Sequence, residues 1–528
     1  MQLPLEDGVP RPRPLVAVAL AGLTVLVILV VVPLLRGGPE VAGRQGGSRS
    51  LRNPTLTLAD QASGEVDQAD SSDPASDAAL PVNPAIDPAT FLPRYADSVL
   101  LPDLETVCNS PAPDDAIFVA TDGDDDNPGT EARPLRSISV AVAAAEAGDT
   151  VLIRGGEYNQ SVAFRGKFGT PDAYITLRAY PGERAVLAPD IGRNAIDFRR
   201  GNAYINVACL ELAGPTQRPE AIPESPDYHR NRSLEGGNAE TNPGNYGSGI
   251  SIGDRVDTRD GFPTNHHIRI VANTVHDFAE AGIAALESNH ISAIGNRTYR
   301  NAKYGCHSSS GISFGYLLDA GGPDNPDGYS NYIIGNVAYE NENLSLQCFT
   351  DRLGPVLTDG NGIIVDQNDL QGDRYTARTL IADNVVYGNG GRGILVFESS
   401  RVDVINNVSY RNVFTEQLMG RDGPHAEIAV ADANDVLVYN NIAVPRTGNV
   451  PFEANGADTE EASNLFRDPG DGSDLFVDPA MDGTGDFALQ ASVNPADVSG
   501  TPYLAWPGEG DRPALLSPVS VGAVFNQG

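Results

Sequence analysis

One pattern recurs six times between residues 249 and 444 of this 528-residue chain. Each copy has a Gly (once a Glu) before an alternating apolar segment, then a polar turn, then an Asn that opens a second apolar segment. The paired residues are Gly249/Asn273, Gly282/Asn296, Gly311/Asn336, Gly362/Asn384, Gly393/Asn407 and Glu427/Asn441. Two intervals between successive Asn residues are 23 residues, which is typical of one coil of a parallel β-solenoid. The repeat therefore predicts an all-β fold of stacked coils, with loops leaving the coil where the interval is longer.

The alternation within each copy predicts which side chains face the interior. Positions one and three after the Gly are apolar, as in Ile363 and Val365, so these side chains point into the coil. The recurring Asn is predicted to form a ladder from coil to coil, because its amide both donates and accepts hydrogen bonds. An antiparallel β-sandwich also contains many short strands, but hairpin signals such as Asn-Gly are scarce here.

The N-terminal region predicts a membrane anchor. After a short tail, residues 1–14, the segment 15–35 is apolar apart from one Gly, one Thr and one Pro, and it is long enough to span a bilayer as a helix. The alternative is a cleaved signal peptide, which has a shorter apolar core and a small-residue cleavage site. A count of flanking Arg residues favours a cytoplasmic C-terminal side, but large domains are translocated largely regardless of such charges. We expect a single-pass protein whose folded domain lies outside the cytoplasm.

The composition changes after this segment. Residues 36–113 are rich in Pro, Ala, Ser, Asp and Gly and poor in aromatic residues, so they predict a disordered linker. The folded domain is then expected over residues 114–528, with a closing segment at 447–528. The long polar insertion at 214–247 is either a wall of a groove or a disordered loop.

The four cysteines predict two disulfides. Cys306 and Cys348 lie near loops of consecutive coils, and Cys108 could join the end of the linker to Cys209 on an early coil. An even number of cysteines fits an oxidising compartment, and no Cys-x-x-Cys spacing indicates zinc. Buried free thiols are the alternative.

The charge limits the classes of partner. The formal net charge is -34, and contacts to nucleic acid phosphates need Lys and Arg, so we expect no nucleic acid partner. A polyanionic polysaccharide should also be repelled at long range unless metal ions or a local basic patch intervene. We expect a monomer.

The start of the folded region resembles a known family. The segment from Ile117 to Gly129, IFVATDGDDDNPG, and the segment from Ala147 to Tyr158, AGDTVLIRGGEY, look like the opening of right-handed parallel β-helix proteins of the pectate-lyase-like superfamily. The resemblance implies a right-handed single-stranded parallel β-helix with an N-terminal capping helix at about residues 137–147. The cap would cover the strand edges at the end of the solenoid. Because this scaffold hosts lyases, epimerases, hydrolases and non-catalytic proteins, the resemblance is specific for the fold and not for the activity.

Alignment of the copies by their Gly identifies an outward column of candidate residues. The fourth residue after the Gly points out of the coil and reads Gly253, Leu286, Gly315, Asp366 and Phe397. Because coils lie about 4.8 Å apart, Asp366 should have Gly315 on one side and Phe397 on the other, leaving room for a sugar ring and a surface on which it can stack. A solvated Asp beside an exposed Phe is the alternative.

The fifth residue after the Gly is predicted to form a polar row at the corner of each coil. Its members are Asp254, Glu287, Tyr316, Gln367, Glu398 and Asp432. Such a row could bind Ca²⁺ through its carboxylates, or could consist only of turn residues in water. Glu398 of this row, with Asp366 of the outward column on the coil before it, is the closest candidate pair for hydrolysis. A fully extended chain would instead place Asp359 more than about 20 Å from Asp366.

The segment Thr358 to Asp369, TDGNGIIVDQND, resembles part of the ninth family of β-helix polysaccharide lyases. In that family, acidic residues before a Gly-hydrophobic strand hold calcium, and a lysine on a strand abstracts the proton. The resemblance implies Asp359, Glu340 and Glu342 as metal-ligand candidates. However, the strand at residues 363–365 carries no Lys or Arg, although lyase chemistry needs a base and a positive charge.

These observations favour an anchored polysaccharide-active protein with a lyase-like or related mechanism and calcium as its candidate cofactor. Asp366 and Glu398 are the candidate catalytic carboxylates, and Lys303 or His307 is the candidate proton-handling partner. Tyr316, Phe397 and Arg392 are the candidate substrate-binding residues. The alternative is a non-catalytic surface module that recognises glycans or adheres through the same groove.

Overall fold

The computed structural model describes residues 104–190, 192–217, 247–253, 261–305, 307, 309–321, 329–344, 358–415, 425–456, 458–470 and 472–493. The predicted tail and membrane helix, most of the linker, most of the 214–247 insertion, and Cys306 and Cys348 lie outside these residues. Within the described ranges, no helix is both long and apolar enough to cross a membrane.

The chain forms three parallel sheets whose strands recur in a fixed order, so each coil contributes one strand to each sheet. Sheet A has eleven strands: β1 (Ile117–Val119), β2 (Thr150–Ile153), β5 (Ile175–Ala179), β8 (Ala203–Ala208), β11 (Asn265–Val271), β14 (Ser288–Ile294), β17 (Tyr329–Ile334), β20 (Arg378–Ala382), β23 (Val402–Ile405), β26 (Val436–Tyr439) and β29 (Thr459–Ala462).

Sheet B has ten strands: β3 (Gly156–Tyr158), β6 (Ala185–Leu187), β9 (Glu211–Ala213), β12 (Thr274–His276), β15 (Arg297–Tyr299), β18 (Val337–Tyr339), β21 (Val385–Tyr387), β24 (Val408–Tyr410), β27 (Ile442–Val444) and β30 (Leu465–Phe466). Sheet C has nine strands: β4 (Val162–Arg165), β7 (Ile196–Arg199), β10 (Ile250–Ile252), β13 (Ile283–Leu286), β16 (Ile312–Gly315), β19 (Ile363–Asp366), β22 (Ile394–Phe397), β25 (Ala426–Ala431) and β28 (Val450–Ala454). This is the parallel β-helix that the repeat predicts.

The repeat also predicts the interior correctly. The first and third residues after each Gly, such as Ile363 and Val365 in β19, are fully buried. They pair in register with Ile394 and Val396 of the next coil. The side chains therefore stack along the solenoid axis and bury a continuous apolar core.

Asn ladders join the coils at the turn between sheets A and B. In each step the side-chain oxygen accepts hydrogen bonds from the backbone and side-chain amides of the Asn one coil earlier. Asn336 donates to Asn384 Oδ1 from its backbone N at 2.9 Å and from Nδ2 at 3.0 Å, and Asn384 donates to Asn407 in the same way. A second ladder runs through Asn341 and Asn389 at the start of the loop between sheets B and C. These buried side chains determine the register of the coils because they bond to amide and carbonyl groups of the neighbouring coils.

A column of stacked rings follows sheet B, three residues after each ladder Asn. The ring centroids of His276 and Tyr299 are 4.8 Å apart, those of Tyr299 and Tyr339 are 4.9 Å apart, and those of Tyr339 and Tyr387 are 5.1 Å apart. A C-terminal antiparallel hairpin, β31 (Phe476–Asp478) and β32 (Asp486–Leu489), packs Phe487 against Tyr387. The hairpin thus covers the later part of the column.

The N-terminal end of the solenoid carries two helices, α1 (Leu104–Asn109) and α2 (Ile138–Ala144). Helix α2 lies where the capping helix was predicted, and it buries Ile138, Ala141 and Val142. Cys108 of α1 forms a disulfide with Cys209 after β8, which is the predicted pairing. The disulfide attaches α1 to the outside of the early coils.

Candidate functional site

The candidate site lies on the outer face of sheet C. Gly315, Asp366 and Phe397 are register partners at the ends of β16, β19 and β22, as the sequence predicts. A Cβ atom at Gly315 would lie 3.1 Å from Asp366 O and 3.5 Å from Asp366 Cβ. The glycine therefore leaves open the space on one side of the Asp366 side chain, while the Phe397 ring flanks the other side.

The environment of Asp366 favours its neutral form. Burial raises its pKa well above the usual value, and the charges of Asp359 and Glu398 raise it further. No lysine or arginine among the described residues contributes to this shift. A half-buried carboxyl group with two carboxylates nearby can therefore hold its proton at a pH where an ordinary Asp has lost it.

The predicted polar row at the coil corners is present and connected by hydrogen bonds. Tyr316, Gln367 and Glu398 all adopt left-handed backbone, with φ of 52°, 55° and 44°, because the chain turns here from sheet C into sheet A. Tyr316 OH donates to Gln367 Oε1, and Gln367 Nε2 donates to Glu398 Oε2 at 3.2 Å. Gln367 thereby links Tyr316 to Glu398 and orients the Glu398 carboxylate directly beside the strand that carries Asp366.

Asp359 lies closer to Asp366 than the extended-chain argument predicted. Gly360 has a φ of 71°, so the chain turns before β19 instead of running straight into it. The Asp359 carboxylate accepts hydrogen bonds from Thr358 Oγ1 at 2.8 Å and from Asn361 Nδ2 at 3.1 Å. Its charge is near enough to raise the pKa of Asp366, so three carboxyl groups act on one region of sheet C.

The floor between these carboxyl groups is apolar. Ile364 and Leu395, at the second position after the Gly, are register partners that point out of the coil and are 3% and 8% exposed. They form one cluster with Ala429, and the partly buried Phe397 packs against it. Of this cluster, the partly exposed Phe397 ring is the part that can contact the C–H face of a sugar ring.

Arg392, a predicted substrate-binding residue, lies at the other end of the sheet C strands and is paired. Its Nη2 donates to Glu453 Oε1 at 2.8 Å and lies 3.3 Å from His425 Nδ1. Glu453 is the register partner of Ala429 and lies three coils beyond Ile364. Arg392, His425 and Glu453 thus form a second polar group on the same face.

Lys303 belongs to a different corner of the coil. It lies in the loop between sheets B and C, where its charge opposes the rise in the pKa of Glu340 and Glu342. Burial is the main cause of both raised pKa values. Glu342 accepts a hydrogen bond from Thr415 Oγ1 at 3.0 Å. The structure therefore brings Lys303 to the two glutamates and not to Asp366.

His307 is also engaged away from Asp366. Its Nδ1 lies 2.7 Å from Glu280 Oε1, and Ser309 Oγ donates to Glu280 Oε2 at 2.6 Å. Glu280 is buried in the loop between β12 and β13, two coils from β19. Of the predicted catalytic residues, the structure groups Asp366 with Glu398 and separates both from Lys303 and His307.

The predicted calcium ligands do not form one cluster. The Asp359 carboxylate contacts Thr358 and Asn361, whereas the Glu342 carboxylate contacts Thr415. In the parts of the chain that the structure describes, no three His, Cys, Asp or Glu side chains are arranged to hold a metal ion. Since Ca²⁺ takes six to eight oxygen ligands, these residues as placed do not fit the ion, and calcium binding stays a prediction for direct measurement.

Three stacked parallel sheets with one strand of each per coil define the class of protein as a β-helix. The family described as Pel9A-like, right handed beta helix region matches residues 117–427, more than half of the chain. The chain belongs to this family, and the fold is accordingly a right-handed parallel β-helix.

Two curated proteins match shorter stretches. Pectate lyase PEL9 of Emericella nidulans is 44% identical over 72 residues, covering 13% of this chain and 18% of that protein. The uncharacterized protein YwoF of Bacillus subtilis is 34% identical over 91 residues, covering 17% of this chain and 19% of that protein. The chain thus matches less than a fifth of the length of either relative.

Solved structures with related architecture include two lyases. The crystal structure of pectate lyase Pel9A has a TM-score of 0.41 and 16% identity, covering 79% of this chain and 98% of that chain. A rhamnogalacturonan lyase has a TM-score of 0.40 and 13% identity, covering 71% of this chain and 96% of that chain. These similarities carry no argument about activity.

The sequence reasoning missed Glu453 and His425. The Gly-to-Asn pattern ends before β28, so Glu453 was not aligned with the outward positions of sheet C. Extending the register by one further coil places Glu453 in the column of Ile364, Leu395 and Ala429. The alternation of apolar and polar residues in Val450–Ala454 was the available signal.

Proposed function

We propose that the protein cleaves a polysaccharide that lies across the outer face of sheet C, with Asp366 as the proton donor. The observation that carries the proposal is the half-buried Asp366, whose pKa is raised by burial and by the charges of two neighbouring carboxylates. Membership of a pectate-lyase-like family supports a carbohydrate substrate.

Two carboxyl groups in different environments suit hydrolysis of a glycosidic bond. A protonated acid can give its proton to the leaving oxygen while a carboxylate acts as the base or nucleophile. Asp366 ends β19 and Glu398 follows its register partner Phe397, so their backbones are diagonal neighbours about 6 Å apart. Gln367 orients the Glu398 carboxylate through its amide nitrogen. Phe397 supplies a stacking surface for the sugar.

A lyase mechanism that uses Lys303 or His307 has less support. The charge of Lys303 acts on Glu340 and Glu342, and His307 contacts Glu280, all in the loops between sheets B and C. Arg392, which could stabilise an enolate-like charge, is held by Glu453. For these reasons the geometry favours a mechanism that uses two carboxyl groups over a mechanism that uses a base and a cation.

Non-catalytic glycan recognition is the second candidate. It is favoured by the absence, among the described residues, of both a metal-binding cluster and a cation acting on Asp366. In that case Asp366 would donate a hydrogen bond to a sugar oxygen, and the Phe397 ring would supply the stacking surface.

The experiment compares Asp366→Asn and Glu398→Gln with the unaltered chain on neutral glycans and polyuronates, with and without calcium. Reducing ends report hydrolysis, and ultraviolet absorbance of a new double bond reports elimination. We expect reducing ends without the double bond and a loss of about 10²- to 10⁴-fold in either variant. Asp172→Asn, in an exposed turn, is the matched control and should keep full activity.

Other outcomes separate the candidates. Unsaturated products would show that the reaction is elimination by a lyase and not hydrolysis. Binding that depends on Asp366 without any product would favour the recognition module. Full activity of Asp366→Asn would remove this residue from the mechanism.

We further propose that the folded domain acts outside the cytoplasm while attached to a membrane by residues 15–35. The disulfide between Cys108 and Cys209 supports an oxidising compartment. Treatment of intact cells with a protease that cannot cross the membrane tests this placement. An external domain would be degraded, whereas a cytoplasmic domain would survive.

A further inference from the structure

Cations gather at the corner between sheets C and A on the early coils. β4 ends at Arg165 and β7 ends at Arg199, and the two arginines are register partners. The chain then turns at Arg200, whose φ is 65°, and continues into sheet A. Arg199 pairs with Asp197 at 2.7 Å, whereas Arg165 and Arg200 are exposed. These cations stand out because the whole chain has a net charge of -34.

Two exposed phenylalanines flank this turn. Phe168, on the coil before, pairs with Ala203 just after the turn. Phe262, on the coil after, lies beside Arg200, whose guanidinium carbon is 5.4 Å from the ring centroid. Their exposed fractions are 50% and 37%. Of the five large apolar side chains that are exposed in the described ranges, these are the two aromatic ones, so the corner concentrates exposed rings as well as cations.

Further rings continue along the corner from coil to coil. The centroids of Tyr174 and Tyr204 are 5.5 Å apart, and those of Tyr204 and His267 are 4.6 Å apart. The guanidinium carbon of Arg269 lies 4.1 Å from the centroid of Tyr174. All four side chains are half-buried. Because each coil contributes one ring, the strip runs along the solenoid axis and matches the shape of a linear polymer.

Aromatic rings and arginines together suit a sugar chain that carries negative charge. A ring face contacts the C–H groups of a sugar, and a guanidinium donates to both oxygens of a carboxylate or sulfate. At physiological ionic strength, exposed charges are screened beyond about 8 Å. A ligand in contact with the corner therefore responds to these cations more strongly than to the distant carboxylates of the chain.

We propose that this basic corner is a second, non-catalytic binding site for a polysaccharide that carries acidic groups. It is formed by Arg165, Phe168, Arg200, Tyr204, Phe262 and Arg269. In sheet C, β7 lies four strands from β19, so the corner is about 19 Å along the axis from the coil of Asp366. It would hold one stretch of a polymer while another stretch lies on sheet C. The inference goes beyond the proposed cleavage and does not depend on it.

The test measures equilibrium binding of the full-length protein to dextran and to carboxymethyl-dextran in the presence of a chelator. The two polymers share a neutral backbone and differ in their carboxylates. We expect carboxymethyl-dextran to bind about ten-fold or more tightly than dextran, and the difference to shrink as salt is added, because salt screens the arginines. Equal binding of the two polymers, or binding of neither, would overturn the inference.

Variants connect the binding to the corner. Phe168→Ser and Arg200→Ala should each weaken the binding of carboxymethyl-dextran by at least about five-fold, whereas Phe168→Tyr retains a ring and should keep the affinity. The matched controls are Val477→Ser, at a 55% exposed position of β31, and Arg136→Ala, at an exposed position before α2. Neither control should change the affinity. Unfolding midpoints equal to that of the unaltered chain show that the variants are folded.

Other outcomes separate this site from sheet C and from simple charge attraction. Weaker binding in Arg200→Ala without any change in Phe168→Ser would indicate ion exchange and would overturn the inference. Weaker binding in Asp366→Asn, with both corner variants unchanged, would locate the polymer on sheet C and would also overturn it.

The readouts keep this inference separate from the proposed function. Binding that requires Phe168 and Arg200, in a chain that cleaves no polysaccharide, would support the inference and reject the proposed cleavage. Cleavage without such binding would support the enzyme and reject the inference.

Discussion

Asp366 and Phe397 are register partners on neighbouring coils, so a carboxyl group and an aromatic ring leave the same face of sheet C side by side. Because of this arrangement, the pKa of Asp366 depends on the groups around it. The ring and the floor limit access of water, and the carboxylates of Asp359 and Glu398 add negative charge. Both effects raise the pKa of Asp366, and the consequence can be measured.

The first prediction concerns the pH dependence of cleavage. If Asp366 is the proton donor, activity requires its protonated form and falls as pH rises through its raised pKa. Of the two charges that raise this pKa, that of Asp359 has the larger effect, and Asp359→Asn removes it. The basic limb of the kcat/KM profile should therefore move to lower pH. Asn at position 359 can still accept the hydrogen bond from Asn361. A profile that stays in place, or moves to higher pH, would contradict the role of Asp366, and Asp172→Asn is the control.

The second prediction concerns the pH dependence of stability. Glu427 is fully buried, and burial raises its pKa to about 7 from the ordinary 4.5. The native state therefore holds a proton that the unfolded state has lost between these values. The free energy of unfolding should fall by about 3 kcal/mol as pH rises from 4.5 to 7, and then level off.

Urea unfolding at a series of pH values checks this expectation. Glu427→Gln cannot titrate, so its stability should lack the decline over that interval. Glu157→Gln, on an exposed position of β3, should retain it. The same decline in Glu427→Gln would show that another group is responsible.

The third prediction concerns the Asn ladder. Asn384 Oδ1 accepts two hydrogen bonds from Asn336, and Asn384 Nδ2 donates to Ile333 O and Asn407 Oδ1. Asn384→Ala leaves these buried groups without partners, and we expect a loss of at least about 3 kcal/mol in the free energy of unfolding. The exposed Asn159→Ala should change it by no more than about 0.5 kcal/mol. Equal denaturation midpoints for the two variants would refute the stabilising role of the ladder.

The fourth prediction concerns the disulfide. The bond between Cys108 and Cys209 closes a loop with a sequence separation of 101 residues. The double variant Cys108→Ser with Cys209→Ser should lose about 4 kcal/mol of stability, because the unfolded chain regains the entropy of that loop. Reductant should lower the unfolding midpoint of the unaltered chain by more than that of the double variant. A midpoint insensitive to both treatments would indicate that the contacts of Leu104 and Val107 suffice to hold α1.

The fold was predictable because the repeat carries several independent signals of one structure. The inward alternation seen in Ile363 and Val365 and the ladder Asn residues such as Asn384 specify register, and register alone placed Asp366 between Gly315 and Phe397. The corner at Gln367 and Glu398 followed from the same alignment, and the structure adds that the backbone there is left-handed. These are local and periodic properties that a single sequence displays.

The composition of the site was less predictable because it depends on loops. Lys303 and His307 lie in loops whose direction no repeat specifies, and their partners Glu342 and Glu280 come from other coils. The turn at Gly360, which brings Asp359 towards Asp366, depends on one glycine with positive φ and not on any periodic pattern. Sequence spacing could list these residues, but it could not show which of them meet.

The second ladder has a direction, and its last member is not an amide. Asn389 donates to Asn412, and Asn412 donates to Glu427 from both its backbone and its side chain. An Asn accepts from one coil and donates to the next, whereas Glu427 accepts from Asn412 and has no side-chain N–H group to offer the coil beyond it. The ladder of amides therefore ends at Glu427. A duplicated coil inserted before Glu427 would extend the ladder, whereas the Asn of a coil inserted after it would find no amide donor in the Glu427 side chain.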